Sequence, residues 1–144
     1  MLSCEPLQPW HAEFVGERLR AEDRAEVQLM GIRGPDAALD SLRQSVAAST
    51  ILVQGTPAAV LGLGVVDVVG GIGCPWLLTT AEVERCRVGF ARAMRELVAQ
   101  ALAITPRLEN LVDARYARAI ALARWIGFTV DAPRGGFCRF WMEN

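Results

Sequence analysis

The chain has 144 residues, of which 52% are hydrophobic, so it is long and apolar enough to form one domain with a substantial core. Its formal net charge of −1 argues against a general nucleic-acid binder, which usually carries a marked basic excess. Its longest apolar run is interrupted by Asp67 and several glycines, which excludes a membrane-spanning segment of ordinary length. The first residues lack the pattern of a secretory signal. We therefore expect one cytoplasmic domain over residues 1–144, with no nucleic-acid or membrane partner.

The cysteines do not form a metal-binding or disulfide pattern. Cys4, Cys74, Cys86 and Cys138 show no C-x-x-C spacing, and none is paired in sequence with the one histidine, His11. Zinc sites and disulfide frameworks in small domains depend on such spacings. No metal site is expected, and buried, reduced thiols are the simplest interpretation.

The first third of the chain is predicted to be a short strand followed by three helices. The predicted segments are a strand over 3–7 and helices over 9–19, 22–30 and 35–48. Pro9 and Pro35 suit the first turn of a helix, where the backbone N–H that proline lacks has no partner. The inner side of the first helix is predicted to carry Trp10, Phe14, Val15 and Leu19.

The middle of the chain changes to a strand pattern. Two apolar segments, 50–54 and 58–69, are separated by Gly55-Thr56-Pro57 and therefore predict an antiparallel hairpin. A further short strand is predicted over 75–78. The longest helix is predicted over 81–103, because apolar residues recur there at steps of three or four. Thr79 and Glu82 have the spacing of a capping box at its start.

The last third predicts a strand, a helix and two strands. These segments are 108–112, 114–126, 128–131 and 137–142, and Gly127 is expected to end the helix in a left-handed conformation. Asn110 is expected to bind backbone groups beside its strand, and Asp113 to cap the following helix. The element order predicts a mixed α/β domain with a mostly antiparallel central sheet and helices on both faces.

The helix that ends in Gly127-Phe128 carries a family resemblance. With Ala119 it resembles the N-x-x-A…Y-x-x-x-G-F ending of the GNAT superfamily of N-acetyltransferases. Five further segments are similar to a group of phage-encoded, GNAT-like proteins, some of which are internal virion proteins. These segments are D-R-A-E (23–26), PWLLTT (75–80), L-x-N-x-V-D (108–113), ARWIGF (123–128) and G-x-x-R-F-x-M (136–142).

The resemblance implies an acetyl-CoA site, but the residues at its expected position differ from the family pattern. Active members of the superfamily bind the pyrophosphate on a Gly-rich loop at the start of the long helix, where free N–H groups favour an anion. Residues 78–85 contain no glycine and place Glu82 and Glu84 there. Each acidic side chain stabilises a bare helix start by roughly 0.3–1 kcal/mol and repels a phosphate by the same electrostatic effect.

The general acid of the family is also missing from its usual position. Ala123 stands where the family often has a tyrosine, and Tyr116 stands at the frequent asparagine. Tyr116 is a candidate catalytic acid, and Glu26 and Asp23 are candidate bases or substrate-binding carboxylates. His11 is expected to be a surface or packing residue. The sequence alone does not indicate a set of residues that would act as nucleophile, base and orienting group.

Three hypotheses follow. The first is a non-catalytic phage protein that acts through contacts with phage or host proteins, in the host cytoplasm or the virion, without a cofactor. The second is an N-acetyltransferase that binds acetyl-CoA through backbone groups of Leu77, Leu78, Thr79 and Thr80. The third is a small regulatory binding protein that uses the same cleft for another ligand. Candidate contact residues for the first are Trp10, Trp125 and Trp141, since aromatic side chains are favoured in interfaces.

Overall fold

A computed structural model describes residues 1–24 and 34–144 of the chain. The strands are β1 (Leu2–Pro6), β2 (Ser45–Val53), β3 (Thr56–Asp67), β4 (Ile72–Thr79), β5 (Arg107–Asp113), β6 (Thr129–Val130) and β7 (Phe137–Glu143). The helices are α1 (Pro9–Gly16), α2 (Gly34–Arg43), α3 (Arg87–Ile104) and α4 (Ala117–Ile126), with a 3-10 helix (Ala81–Cys86) before α3. Residues 21–24 are also helical, and the rest of the helix predicted over 22–30 lies outside the described residues.

The strands form a seven-stranded mixed sheet in the order β1-β2-β3-β4-β5-β7-β6. Antiparallel pairs join β1 to β2, β2 to β3, β5 to β7 and β6 to β7, whereas β4 and β5 run parallel. The mixed α/β class predicted from the sequence is confirmed. By backbone contacts the chain divides into two compact units, residues 1–64 with 76–90 and residues 65–75 with 91–144.

The β2–β3 hairpin has a tighter turn than the sequence predicts. Val53 pairs with Thr56, so the turn consists of Gln54 and Gly55 alone. Both turn residues have positive φ, 50° and 79°, as a type I′ turn requires. The predicted turn at Gly55-Thr56-Pro57 is therefore displaced by one residue, because Thr56 already belongs to the strand ladder.

Two predicted helices are too long. The first helix ends at Gly16, before Leu19, and α2 ends at Arg43, before Ala48. Residues from Ser45 onward pair with Gly64 and its neighbours in β3, and this ladder replaces the helical hydrogen bonds that local propensity favoured.

The inner face of α1 also differs from the prediction. Val15 and Leu19 are buried as expected, but His11 is fully buried and Trp10 is 53% exposed. The helix is thus rotated so that His11 and Ala12 lie inward. The apolar residues alone do not distinguish these two rotations, because Val15 and Leu19 are inward in both and Ala12 can replace Trp10 on the inner side.

The first unit has a core in which a glycine makes room for an indole. Val15, Leu19, Val60 and Leu78 belong to this core, and Trp76 packs against it. A Cβ atom on Gly62 would lie 2.6 Å from the Trp76 ring, so only glycine fits there. Trp76 Nε1–H donates to Ser45 Oγ at 2.6 Å, and this bond satisfies the polar end of the indole.

The second unit is organised around β5 and β7. Residues along the two strands pair from Arg107 with Glu143 to Asp113 with Phe137. Their buried residues include Leu108, Val112 and Cys138. Phe128 meets Phe140 edge to face at a centroid distance of 5.0 Å.

Gly127 ends α4 as the sequence predicts. Its φ is 119°, its N–H donates to the Arg124 carbonyl at 3.1 Å, and the Phe128 N–H donates to the Ala123 carbonyl at 3.0 Å. These two bonds form a Schellman motif, which satisfies the carbonyl groups left free at the end of a helix.

Among the residues that the structure describes, no helix is both long enough and apolar enough to cross a membrane.

Candidate functional site

The four residues predicted to offer backbone groups to acetyl-CoA are the last three of β4 and Thr80, which directly follows it. Leu77 is partly exposed, but Leu78, Thr79 and Thr80 are 8%, 1% and 3% exposed. The last three residues of the candidate site are therefore covered by other parts of the protein.

The polar groups of Thr79 are all bound by Arg20, which directly precedes the helical residues 21–24, and by Asp23 within them. Its N–H and its hydroxyl both donate to Asp23 Oδ2, at 2.9 and 2.6 Å. Its carbonyl accepts from the Arg20 N–H at 3.0 Å, and its hydroxyl oxygen accepts from Arg20 Nε at 2.6 Å. The backbone N–H and the carbonyl of Thr79 are thus both hydrogen-bonded within the protein.

The same contacts continue through Arg20 to the helix that follows β4. Arg20 Nη1 donates to Glu84 Oε1 at 2.9 Å, and Leu19 forms an antiparallel bridge with Thr80. Residues 19 and 20 therefore run beside the end of the strand. The sequence contains no local signal for Arg20 in this role, because 59 positions separate it from Thr79.

Asp23 is a mostly buried carboxyl group with opposing influences on its pKa. Burial raises its pKa above the ordinary value, whereas the hydrogen bonds from Thr79 and the charge of Arg20 oppose that rise. The group therefore depends on Thr79 and Arg20 for the stability of its charged form.

The helix after β4 begins one residue later than the predicted capping box requires. Thr80 is the N-cap: its hydroxyl oxygen accepts from the Glu82 N–H at 3.2 Å, and its O–H donates to the Ala58 carbonyl at 3.0 Å. The predicted pairing of Thr79 with Glu82 is wrong, because the Thr79 hydroxyl is engaged by Asp23 and Arg20. The first six residues, Ala81–Cys86, form a 3-10 helix, and α-helical geometry begins only at Arg87.

The acidic residues at this helix start are held by arginines. Glu84 lies between Arg20 and Arg87, with N–O distances of 2.9 Å to each. Glu82 is 3.7 Å from Arg85. These ion pairs hold both carboxylates beside the start of the helix that follows β4.

The predicted residues of the β5–α4 connection have structural contacts. Asn110 Nδ2 donates to the Pro75 carbonyl at 2.7 Å, in agreement with its predicted role. Asp113 does not cap α4, because its carboxylate accepts from the Arg115 N–H and from the Arg115 guanidinium. This guanidinium lowers the pKa of Asp113 to about 2. Tyr116 is the N-cap residue of α4 but makes no side-chain capping bond.

Two further candidates have different outcomes. Glu26 lies outside the described residues. His11 is a packing residue: Nδ1 accepts from the Gln8 N–H at 3.0 Å and lies 2.8 Å from Thr50 Oγ1. Its Nε2 lies 3.1 Å from the half-exposed Glu5 carboxylate. Burial lowers the pKa of His11, whereas the Glu5 charge partly opposes this effect.

Comparisons with known proteins identify the fold. No family model and no curated protein matches the sequence. The structure matches an acetyltransferase of the GNAT family from Streptococcus pneumoniae with a TM-score of 0.70 and 14% identity over 100% of both chains. It also matches an N-acetyltransferase from Thermoplasma acidophilum in complex with coenzyme A, with a TM-score of 0.70 and 12% identity over 100% of this chain and 99% of the other.

A third match is a putative acetyltransferase from Salmonella typhimurium with its cofactor acetyl-CoA. Its TM-score is 0.72 at 10% identity, over 99% of this chain and 93% of the other. Such low identities carry the fold but not the activity. From its strand order, its helix positions and these matches, the chain has the fold of the GNAT acetyltransferases.

Proposed function

We propose that this chain is a non-catalytic protein of the GNAT fold that acts through contacts with other proteins, as a component of a phage particle or of its assembly. The phage assignment is supported by the residue pattern of PWLLTT and of the other matching segments. The absence of catalysis is supported by the start of the helix after β4.

The observation that carries this proposal is the way in which the helix start binds its own side chains. A pyrophosphate site needs free N–H groups, a positive helix end and close backbone approach. Here Thr80 accepts the Glu82 N–H, and Glu82 and Glu84 bring two carboxylates into the first turns. The residues at this position therefore do not fit the pyrophosphate of acetyl-CoA.

Exposed aromatic side chains support a role in protein contacts. Trp10 is 53% exposed and Trp125 is 46% exposed, although Arg95 lies over the Trp125 ring at 4.7 Å. Trp141 is less available, since its indole N–H donates to Asp131 at 3.1 Å. Trp10 is thus the strongest of the three candidate contact residues, because large exposed aromatics are costly to leave in water and anchor many interfaces.

A titration calorimetry experiment with acetyl-CoA tests the absence of a cofactor site. We expect no binding at micromolar ligand and no rise in the melting temperature, because a ligand that binds the folded state must stabilise it. Micromolar affinity would overturn the non-catalytic proposal. Mass spectrometry of purified phage particles tests the location, and absence from particles and from assembly intermediates would overturn the virion assignment.

The second candidate function is N-acetyl transfer, which is favoured by the fold neighbours whose structures contain coenzyme A or acetyl-CoA. On this proposal Leu77, Leu78, Thr79 and Thr80 contribute the cofactor contacts, and Tyr116 is the remaining candidate acid. Release of free thiol from acetyl-CoA in the presence of amine acceptors would support it. Loss of that release in Tyr116→Phe, with unchanged melting temperature, would assign the role to the hydroxyl group.

A further inference from the structure

The end of β4 differs from an ordinary exposed strand edge in the residues that complete its hydrogen bonds. The Arg20 N–H binds the Thr79 carbonyl in the manner of a neighbouring strand. The Thr79 N–H, however, is bound by the side chain of Asp23 rather than by a backbone carbonyl. A carboxylate therefore substitutes for the next peptide group of a paired strand.

We infer that residues 19–23 occupy the place beside the end of β4 that an extended amide ligand would take. Asp23 binds the Thr79 N–H and Arg20 binds the Thr79 carbonyl, and such a ligand would need both groups. An extended ligand that binds a strand edge uses the same alternation of donor and acceptor. Such a ligand cannot bind Thr79 while Asp23 and Arg20 remain in place. The segment therefore blocks the end of β4 against such a ligand.

The burial of this contact makes it persistent. Thr79 is 1% exposed, and water cannot replace Asp23 at its N–H without a rearrangement. Arg20 strengthens the closure, since it binds Thr79 through its backbone N–H and its side chain and also binds Glu84. Loss of Asp23 frees the Thr79 N–H alone, whereas release of the Thr79 carbonyl also requires loss of the bond from the Arg20 N–H.

This inference rests on the proposed function, because it explains a second way in which the site excludes acetyl-CoA. It concerns the amide-bearing part of such a ligand, whereas Glu82 and Glu84 concern its phosphates. Pantetheine separates the two effects, since it has the amides but no phosphate group. A variant that lacks only the Asp23 carboxylate is expected to bind pantetheine more tightly than acetyl-CoA.

The binding experiment compares four proteins with pantetheine and with acetyl-CoA by calorimetry. Asp23→Ala removes the carboxylate, Asp23→Asn keeps an oxygen that accepts the Thr79 N–H, and Asp131→Ala removes a hydrogen-bonded carboxylate elsewhere. We expect wild type, Asp23→Asn and Asp131→Ala to bind neither compound, and Asp23→Ala to bind pantetheine at millimolar concentration. A folded Asp23→Ala that fails to bind pantetheine would overturn the inference.

Amide hydrogen exchange provides a test that does not depend on a ligand or on the stability of the variant. The wild-type Thr79 amide should be protected, and Asp23→Ala should exchange it about tenfold faster or more, while Asp23→Asn remains slow. Fast exchange of the Thr79 amide in the wild type would overturn the inference even if Asp23→Ala does not fold. If wild type binds acetyl-CoA while its Thr79 amide stays protected, the proposed function fails and the internal occupancy of Thr79 stands.

Discussion

The connections from β4 and from β5 to their following helices satisfy their polar groups in opposite ways. At the end of β4, Thr79 is bound by Asp23 and Arg20, which lie 56 and 59 positions earlier in the chain. At the end of β5, Asp113 is bound by Arg115, only two positions away. The first connection therefore stabilises long-range structure, whereas the second stabilises only its own loop.

Solvent exposure gives the two connections different energetic weight. Thr79 is 1% exposed, but the Arg115 side chain is 75% exposed. A buried group that loses its partner remains without a hydrogen bond, while an exposed group regains one from water. The same chemical deletion is therefore expected to cost more at β4 than at β5.

The largest effect is expected from Asp23→Ala compared with Asp113→Ala. Asp23→Ala leaves the buried Thr79 N–H without its partner and should lower the free energy of unfolding by about 1–3 kcal/mol. Asp113→Ala should cost less, because Arg115 remains hydrated. Urea denaturation of both variants measures the difference, and equal losses would remove the distinction between the two connections.

The next largest loss of stability is expected at the C-terminal end of α4, where Gly127 ends the helix in a left-handed conformation. Gly127→Ala places a side chain on a residue with φ of 119° and should cost about 1–2 kcal/mol. Gly89→Ala is the matched control, since this position is inside α3 and its nearest neighbour is Leu2 Cδ1 at 3.7 Å. It should stabilise the protein by about 0.5–1 kcal/mol. A destabilised Gly89→Ala with a neutral Gly127→Ala would contradict the assigned conformations.

A smaller effect is expected at the start of the helix after β4. Thr80→Ala removes the oxygen that accepts the Glu82 N–H and should cost about 1 kcal/mol. Thr80→Ser keeps that oxygen and should restore most of the loss. Thermal unfolding of the pair checks this, and no difference between Ala and Ser would show that the cap contributes nothing.

The sequence predicted the parts of the fold that depend on local chemistry. Gly127 ends α4 because only a few neighbouring residues and one left-handed conformation are involved. The cap before the 3-10 helix does not follow from local chemistry, because the spacing to Glu82 favours Thr79 whereas the structure uses Thr80. The choice between them is made by Asp23 and Arg20, which no local pattern brings to β4.

The length of α2 shows the same limit. Val46 continues the apolar spacing of that helix, yet it lies in β2 and is 60% exposed. Pairing of Ser45 with Gly64 decides the outcome, and this contact joins residues from two different predicted segments. Most differences between the predicted and observed elements therefore lie at residues whose secondary structure depends on pairing with distant parts of the chain.

The smallest predicted effect is a pH dependence at the β5 connection. Arg115 lowers the pKa of Asp113 to about 2, from an ordinary value of 3.8. A carboxyl group with a lowered pKa in the folded state stabilises the protein above pH 3.8, and this contribution is lost as the pH falls toward 2. The difference in unfolding free energy between wild type and Asp113→Asn should therefore shrink over that interval. Denaturant unfolding at several pH values measures it, and a constant difference would mean that the exposed Arg115 pair does not couple protonation of Asp113 to folding.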